Sequence, residues 1–145
     1  MVKNLKKNKN ILIWHWGRRG GGPKYTLELV RELSKYKNLN LHISISSQSE
    51  LVNEFKKLNL RCHLVDTYYD VKSAIINSFK IASVRKNFWN YITENNIDIL
   101  ICTMSHLWNV PILFMKRHSI IYFLVLHDGK PHEGDNYFFR NFLLK

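Results

Sequence analysis

Residues 11–32 read ILIWHWGRRGGGPKYTLELVRE, and the interpretation of this stretch decides the fold. Ile11, Leu12, Ile13, Trp14 and Trp16 form an apolar run broken only by His15. A run with no polar face is what a central strand needs when it is covered on both sides. It flows into RRGGGPK, and beyond Lys24 the residues Leu27, Val30 and Leu33 recur at three- and four-residue spacing, the stripe of a helix facing a sheet. Gly20, Gly21 and Gly22 permit positive φ and close approach, because no Cβ intervenes. Free N–H groups and the dipole at the start of the following helix suit an anion such as phosphate. The spacing is neither GxGxxG nor a P-loop, so a strand-to-helix turn without a ligand stays an open alternative.

Working outward, the chain alternates. A Lys/Asn-rich lead-in occupies 1–10, and the first helix should run to about Lys37. Residues 41–46 (LHISIS) read as a second strand. Residues 48–58 read as a helix, with Ser47 or Ser49 offered as N-cap and Lys56–Lys57 suited to its C-terminal dipole. A third strand is expected at 61–65 (RCHLV), and a helical pattern from 71 to about 95, stopped by Asn95-Asn96. Residues 97–103 (IDILICT) form a fourth strand, a short helix is expected around 111–116, and a fifth strand lies within 118–126. The loop HDGKPHEGD at 127–135 and the start of another helix at 136–145 close the chain. Nearly continuous apolar strands alternating with helices predict an α/β, Rossmann-like parallel sheet of about five strands with helices on both faces. Ligands then belong at the C-terminal strand ends, where the loops at 17–24, 103–106 and 127–135 should converge.

Composition bounds the function. At 145 residues the chain reads as a single domain, 1–145, and 46% hydrophobic and 13% aromatic residues exclude a disordered chain. A net charge of +11 points to a polyanionic neighbour: nucleic acid, an anionic membrane face or phosphorylated substrates. Cys62 and Cys102 fall inside expected strands, with no disulfide or zinc pattern, which suits a reducing compartment. No apolar run reaches bilayer length and no cleavage site follows the first apolar run, so the expected location is cytoplasmic. Basic residues are scattered, without a helix-turn-helix, zinc-finger or RRM signature, so no nucleic-acid partner is expected, although a basic nucleic-acid-binding domain stands as an alternative. A dinucleotide-dependent oxidoreductase is weaker, since SISSQSE offers no clean acidic ribose ligand at the end of the second strand.

Three stretches, RRGGGPKYTLELVREL, NNIDILICT and LVLHDGKPHEGD, together resemble the N-terminal domain of bacterial retaining glycosyltransferases of family four, which have the GT-B fold and assemble capsule, O-antigen and related surface glycans. The resemblance covers nearly the whole chain. It implies an acceptor-side domain whose partner, a C-terminal donor domain, is not contained in 145 residues, so the isolated chain is expected to be a fragment without activity of its own. It assigns His127 as the catalytic residue, bonding the donor sugar near the reacting carbon, and Gly20, Gly21 and Gly22 as substrate-binding. Lys24 beside the turn, His106 at the end of the fourth strand, and Asp128, His132 and Glu133 in the last loop are expected to bind substrate in the same cleft. Arg18 and Arg19 flank the turn and pair well with phosphate, or are solvated surface charge. The implied partners are a nucleotide sugar and a glycan or lipid-linked acceptor. No cofactor is implied, and the Asp128, His132, Glu133 and Asp135 cluster is expected to shape a loop and not to hold a metal. Pro23 departs from the family's usual residue after the glycines, which the first helical turn tolerates.

Lys72, Lys80, Arg85 and Lys86, interleaved with Phe79, Phe88, Trp89 and Tyr91, leave two readings open. One is a peripheral contact with an anionic inner-membrane surface. The other is a helix that packs its aromatics on the sheet and keeps its charges in water. A separate alternative for the whole chain is a non-catalytic binding or assembly subunit that needs a separate donor-binding chain. His15, His42 and His63 are expected to be satisfied core or face residues.

Overall fold

The computed structural model describes residues 8–67, 77–106, 108–113 and 120–125. The expectations for 1–7, 68–76, the loop at 127–135 with His127, Asp128, His132 and Glu133, and the helix at 136–145 lie outside the described residues.

Five strands are described: β1 (Lys9–His15), β2 (Leu39–Ser46), β3 (Arg61–Val65), β4 (Ile99–Cys102) and β5 (Ile121–Leu124). They form one sheet in the order β3-β2-β1-β4-β5, with every pairing parallel. The helices are α1 (Gly21–Leu33), α2 (Val52–Lys57), α3 (Ile81–Glu94, entered through a 3-10 turn at Asn77–Lys80) and α4 (Asn109–Leu113). This is the Rossmann-like α/β fold that the alternation of strands and helices predicts.

The apolar run at 11–16 is central because β1 is bonded on both edges, Ile13 facing Ile43 on one side and Ile101 on the other. Its period of two divides the core. Ile11 and Ile13 pack with Leu41, Ile43 and Ile45 beneath Leu27 and Val30 of α1 and Phe55 of α2. Leu12, Trp14 and Trp16 pack on the opposite face with Leu100 and Cys102, beneath Phe88 and Ile92 of α3 and Ile112 of α4. Trp14, Trp16 and Phe88 form the centre of that second cluster, with ring centroids 4.8 to 5.4 Å apart. Aromatic contacts at that spacing add to the area they bury.

β2 carries a feature hidden in its alternation. His42, Ser44 and Ser46 point to the α3 face and are all buried. Alternating polar residues usually mark a solvated face, but here each finds a buried partner. His42 Nδ1 lies 3.0 Å from Tyr91 Oη. Ser44 Oγ accepts from Trp16 Nε1 and lies 3.0 Å from His63 Nδ1, and Ser46 Oγ meets Thr67 Oγ1 at 2.7 Å. Buried polar groups are retained only when paired in this way.

Several boundaries differ from the sequence expectation. α1 ends at Leu33 and finishes in a tightened turn, Tyr36 N bonding Leu33 O. α2 begins at Val52, later than expected, with Leu51 at the cap position and no side-chain cap. Ser47 bonds Asp66 (2.8 Å), and Ser49 Oγ accepts from Leu51 N–H (3.4 Å) in the turn before the helix. α3 stops where Asn95-Asn96 predicts: Asn96 takes φ 49°, and Ile97 N and Asn96 N bond back to Ile92 O and Thr93 O. That double bond with a left-handed residue closes a helix C-terminus. α4 begins at Asn109, slightly before the expected 111, and the rest of that expectation, 114–116, lies outside the described residues. The reading of helices on both faces needs one qualification at β5, where Ile121 and Phe123 remain 56% and 53% exposed on the α1 side of the sheet.

For α3 the inward reading of the aromatics accounts for most of them. Phe88 is buried, Trp89 Nε1 donates to Ile112 O (2.9 Å), and Tyr91 bonds His42. Phe79 alone of the four stands out, 91% exposed. Among the described residues, no helix is long and apolar enough to cross a membrane.

Candidate functional site at the switch point of the sheet

Because every strand is parallel, all five C-terminal ends lie along one rim. The chain leaves β1 toward β2 on one side and returns to β4 on the other, so the loops after β1 and β4 diverge and open a crevice there. The turn at 17–22 and the segment at 103–106 line that crevice. β5 delivers Val125 to the same rim, its N–H donating to Cys102 O at 2.8 Å. The loop that starts two residues later, with His127, Asp128, His132 and Glu133, lies outside the described residues.

The glycines of the turn differ in what they need. Gly20 precedes α1 with φ 88° and ψ −153°. That region is essentially closed to residues with a Cβ. A Cβ on Gly21 would meet nothing within 4 Å. A Cβ on Gly22 would stand 2.7 Å from His15 Cε1 and 2.8 Å from Met104 Cε, and one on Gly17 2.7 Å from His15 Nε2. The close approach at Gly17 and Gly22 is thus made by the chain's own His15. Pro23 is buried in the first turn of α1, where its missing N–H costs nothing. Gly20 N–H donates to Glu50 Oε1 (3.0 Å), and Glu50 N–H donates to Arg18 O (2.9 Å), which ties the turn to the loop after β2. Lys24 is exposed on the first turn of α1.

Beneath the turn lies a buried hydroxyl network. His15 Nδ1 is 2.9 Å from Thr103 Oγ1, Thr103 Oγ1 is 2.8 Å from Thr26 Oγ1, and Thr26 Oγ1 donates to Gly22 O at 2.8 Å. One chain of contacts therefore joins the end of β1, the end of β4 and the first turns of α1. Sequence reasoning placed His15 in the core and did not single out Thr26, Thr103 or Glu50. The available signal was His15 itself, one polar residue in an otherwise apolar strand.

His106 stands on the β4 side, edge-on to Trp16 (ring centroids 6.2 Å apart) and to Trp108 (6.3 Å). Trp108 N–H donates to its Nδ1 at 3.3 Å. Burial, with the nearby His15 ring and the Arg18 guanidinium adding to it, lowers its pKa from 6.5 to about 4. A neutral imidazole held against two buried tryptophans can offer a hydrogen bond to a hydroxyl. Of the nine candidate site residues, Gly20, Gly21, Gly22 and Lys24 belong to the segment after β1 and His106 to the segment after β4, and the other four lie outside the described residues. Among the described residues, no group of three or more His, Cys, Asp or Glu side chains is arranged to hold a metal ion.

Neither a protein-family model nor a curated protein matches the sequence. Among solved structures, MurG of Acinetobacter baumannii overlays 80% of this chain with a TM-score of 0.61 at 13% identity. The chain spans 34% of the MurG chain. The five-stranded parallel sheet with its helices therefore has the Rossmann-like fold found in MurG, a GT-B glycosyltransferase.

Proposed function

We propose that this chain is the N-terminal, acceptor-side domain of a retaining GT-B glycosyltransferase, of family four by its motifs, that moves a sugar from a nucleotide sugar to a surface-glycan or lipid-linked acceptor. The observation that carries the reading is that the glycine turn after β1 and the segment bearing His106 after β4 leave the sheet at its switch point, in a fold shared with MurG. In this reading the crevice binds the acceptor, and His127 stands beside the reacting carbon as charge develops on the leaving diphosphate. Fixed polar groups at such a centre lower the barrier by electrostatics. The donor enters as a substrate, and no metal is required.

The test joins the chain to a GT-B donor domain and follows transfer from a panel of radiolabelled nucleotide sugars. Transfer that is abolished in the His127→Ala variant supports the reading. A folded hybrid that binds the nucleotide sugar and transfers nothing refutes it.

A second reading, a non-catalytic subunit completed by a separate donor-binding chain, is favoured by the half-exposed Ile121 and Phe123 on β5. Paired strands seldom leave two large apolar side chains in water without a partner. Transfer that appears when the two chains are mixed unfused supports this second reading.

A further inference from the structure

His15 is buried, its ring fills the space where Cβ atoms of Gly17 and Gly22 would stand, and its Nδ1 reaches the hydroxyl of Thr103. The network fixes where its hydrogen sits. Three contacts run in series, Nδ1 to Thr103, Thr103 to Thr26, and Thr26 to Gly22 O, each between 2.8 and 2.9 Å. Each needs one hydrogen. A threonine hydroxyl supplies one, and a backbone carbonyl supplies none. Two hydroxyls cannot fill three bonds, so the third hydrogen is on Nδ1 of the imidazole. Thr103 Oγ1 also approaches Trp14 O at 3.5 Å, which adds an acceptor and no hydrogen.

We infer that His15 is a positioning residue: as the Nδ1–H tautomer it holds the glycine turn against the end of β4 through Thr103 and Thr26, and so sets the width of the crevice faced by His106. The turn cannot settle without it, because Gly17 and Gly22 both rest on the ring. Thr26 carries the same constraint into α1 by gripping Gly22 O. A phenyl ring would fill the space but leave the Thr103 hydroxyl short of a donor. An asparagine at 15 would keep a donor near the Nδ1 position, whereas a glutamine would carry its amide nitrogen toward that of Nε2. The tautomer stands apart from any ligand, while the role in shaping a substrate crevice rests on the function proposed above.

The experiment is a long-range proton–nitrogen correlation of the imidazoles in the whole chain near neutral pH, with backbone amide spectra of His15→Asn, His15→Gln and Thr103→Val. The expected result is a protonated Nδ1 and an unprotonated Nε2 for His15. The amides of Gly17 and Gly22 should shift in both His15 variants, which lack the ring, and in Thr103→Val, while the amide of Thr103 should move less in His15→Asn than in His15→Gln. A hydrogen on Nε2 alone, or equal displacement of the Thr103 amide in His15→Asn and His15→Gln, overturns the inference. The ring spectrum of the unsubstituted chain decides the tautomer even where a variant fails to fold. Absence of sugar transfer in the fused enzyme, with this spectrum as expected, removes the sugar reading and leaves the geometry standing.

Discussion

Tyr91 Oη lies 3.0 Å from Nδ1 of His42, a bond that pins the last turns of α3 to the middle of β2. His42 is buried, and its Nε2 has no hydrogen-bond partner among the described residues. A proton added there would be an uncompensated charge under a helix. Burial, with Arg61 nearby, accordingly lowers its pKa, and burial does the same for His63.

Acid should therefore loosen the domain. His42, His63 and His106 all have folded pKa values below the 6.5 of the unfolded chain, His106 at about 4. Above pH 6.5 both states hold these rings neutral and stability is at its full value. As pH falls below 6.5 the unfolded state takes up protons that the folded state refuses, and stability drops until the folded pKa is passed. For His106 alone the loss between pH 7 and 5 is about 2 kcal/mol. Urea midpoints measured across that range should fall steadily, and less so in His106→Gln. A flat profile would contradict the burial assigned to all three rings.

The three glycines of the turn should respond differently to alanine. Gly22→Ala meets His15 and Met104 and should cost about 1–3 kcal/mol, as overpacking does. Gly20→Ala meets nothing but sits at φ 88°, and should cost a similar ~1–3 kcal/mol through backbone strain. Gly21→Ala is free of both and should be neutral, or gain up to about 1 kcal/mol inside a helix. Equilibrium unfolding of the three variants ranks them, and a most damaging substitution at Gly21 would be inconsistent with this turn.

Phe88→Ala should be the most destabilising of the aromatic truncations on α3, at about 3–5 kcal/mol, because its ring closes the cluster with Trp14 and Trp16. Trp16→Phe keeps most of the bulk but removes the hydrogen bond donated to Ser44, whose hydroxyl keeps its contact with His63, and should cost on the order of 1 kcal/mol beyond the volume lost. Denaturation curves of both variants, read with an unchanged slope, test this order.

If the domain meets an anionic membrane, Phe79 is the side chain that enters it, with Lys80 and Lys86 exposed beside it. Vesicles containing phosphatidylglycerol should co-sediment with the chain at low salt and release it at high salt. Phe79→Ser should weaken that binding roughly ten- to hundred-fold, given the ~1.5–3 kcal/mol that burial of a phenyl ring contributes. Binding unchanged in Phe79→Ser would remove this face from consideration.

Much of the fold was legible because it depends on local pattern. The apolar run at 11–16 marked the central strand, the spacing of Leu27 and Val30 marked the face of α1, and Asn95-Asn96 marked the end of α3. Helix starts were less legible. The hydroxyl of Ser47 suits an N-cap equally as well as the Asp66 partner it takes, and only the position of β3 decides between them. The alternation of LHISIS misleads in a similar way, since polar side chains at every second position look solvated until α3 covers them.

By itself the sequence determined the strands and helices, their parallel arrangement and the rim on which a ligand belongs, since these follow from hydrophobic period and from the handedness of crossovers. Only the tertiary structure decided what the glycines and histidines are for. Residues 15, 26 and 103 are far apart in the chain, and their hydrogen bonds exist only once β1, β4 and α1 have been brought side by side. The same packing gave Gly22 its reason, lowered the pKa of His106 and left one face of β5 half-covered. Contact and desolvation are properties of residues brought together in space, and no local stretch of sequence carries them.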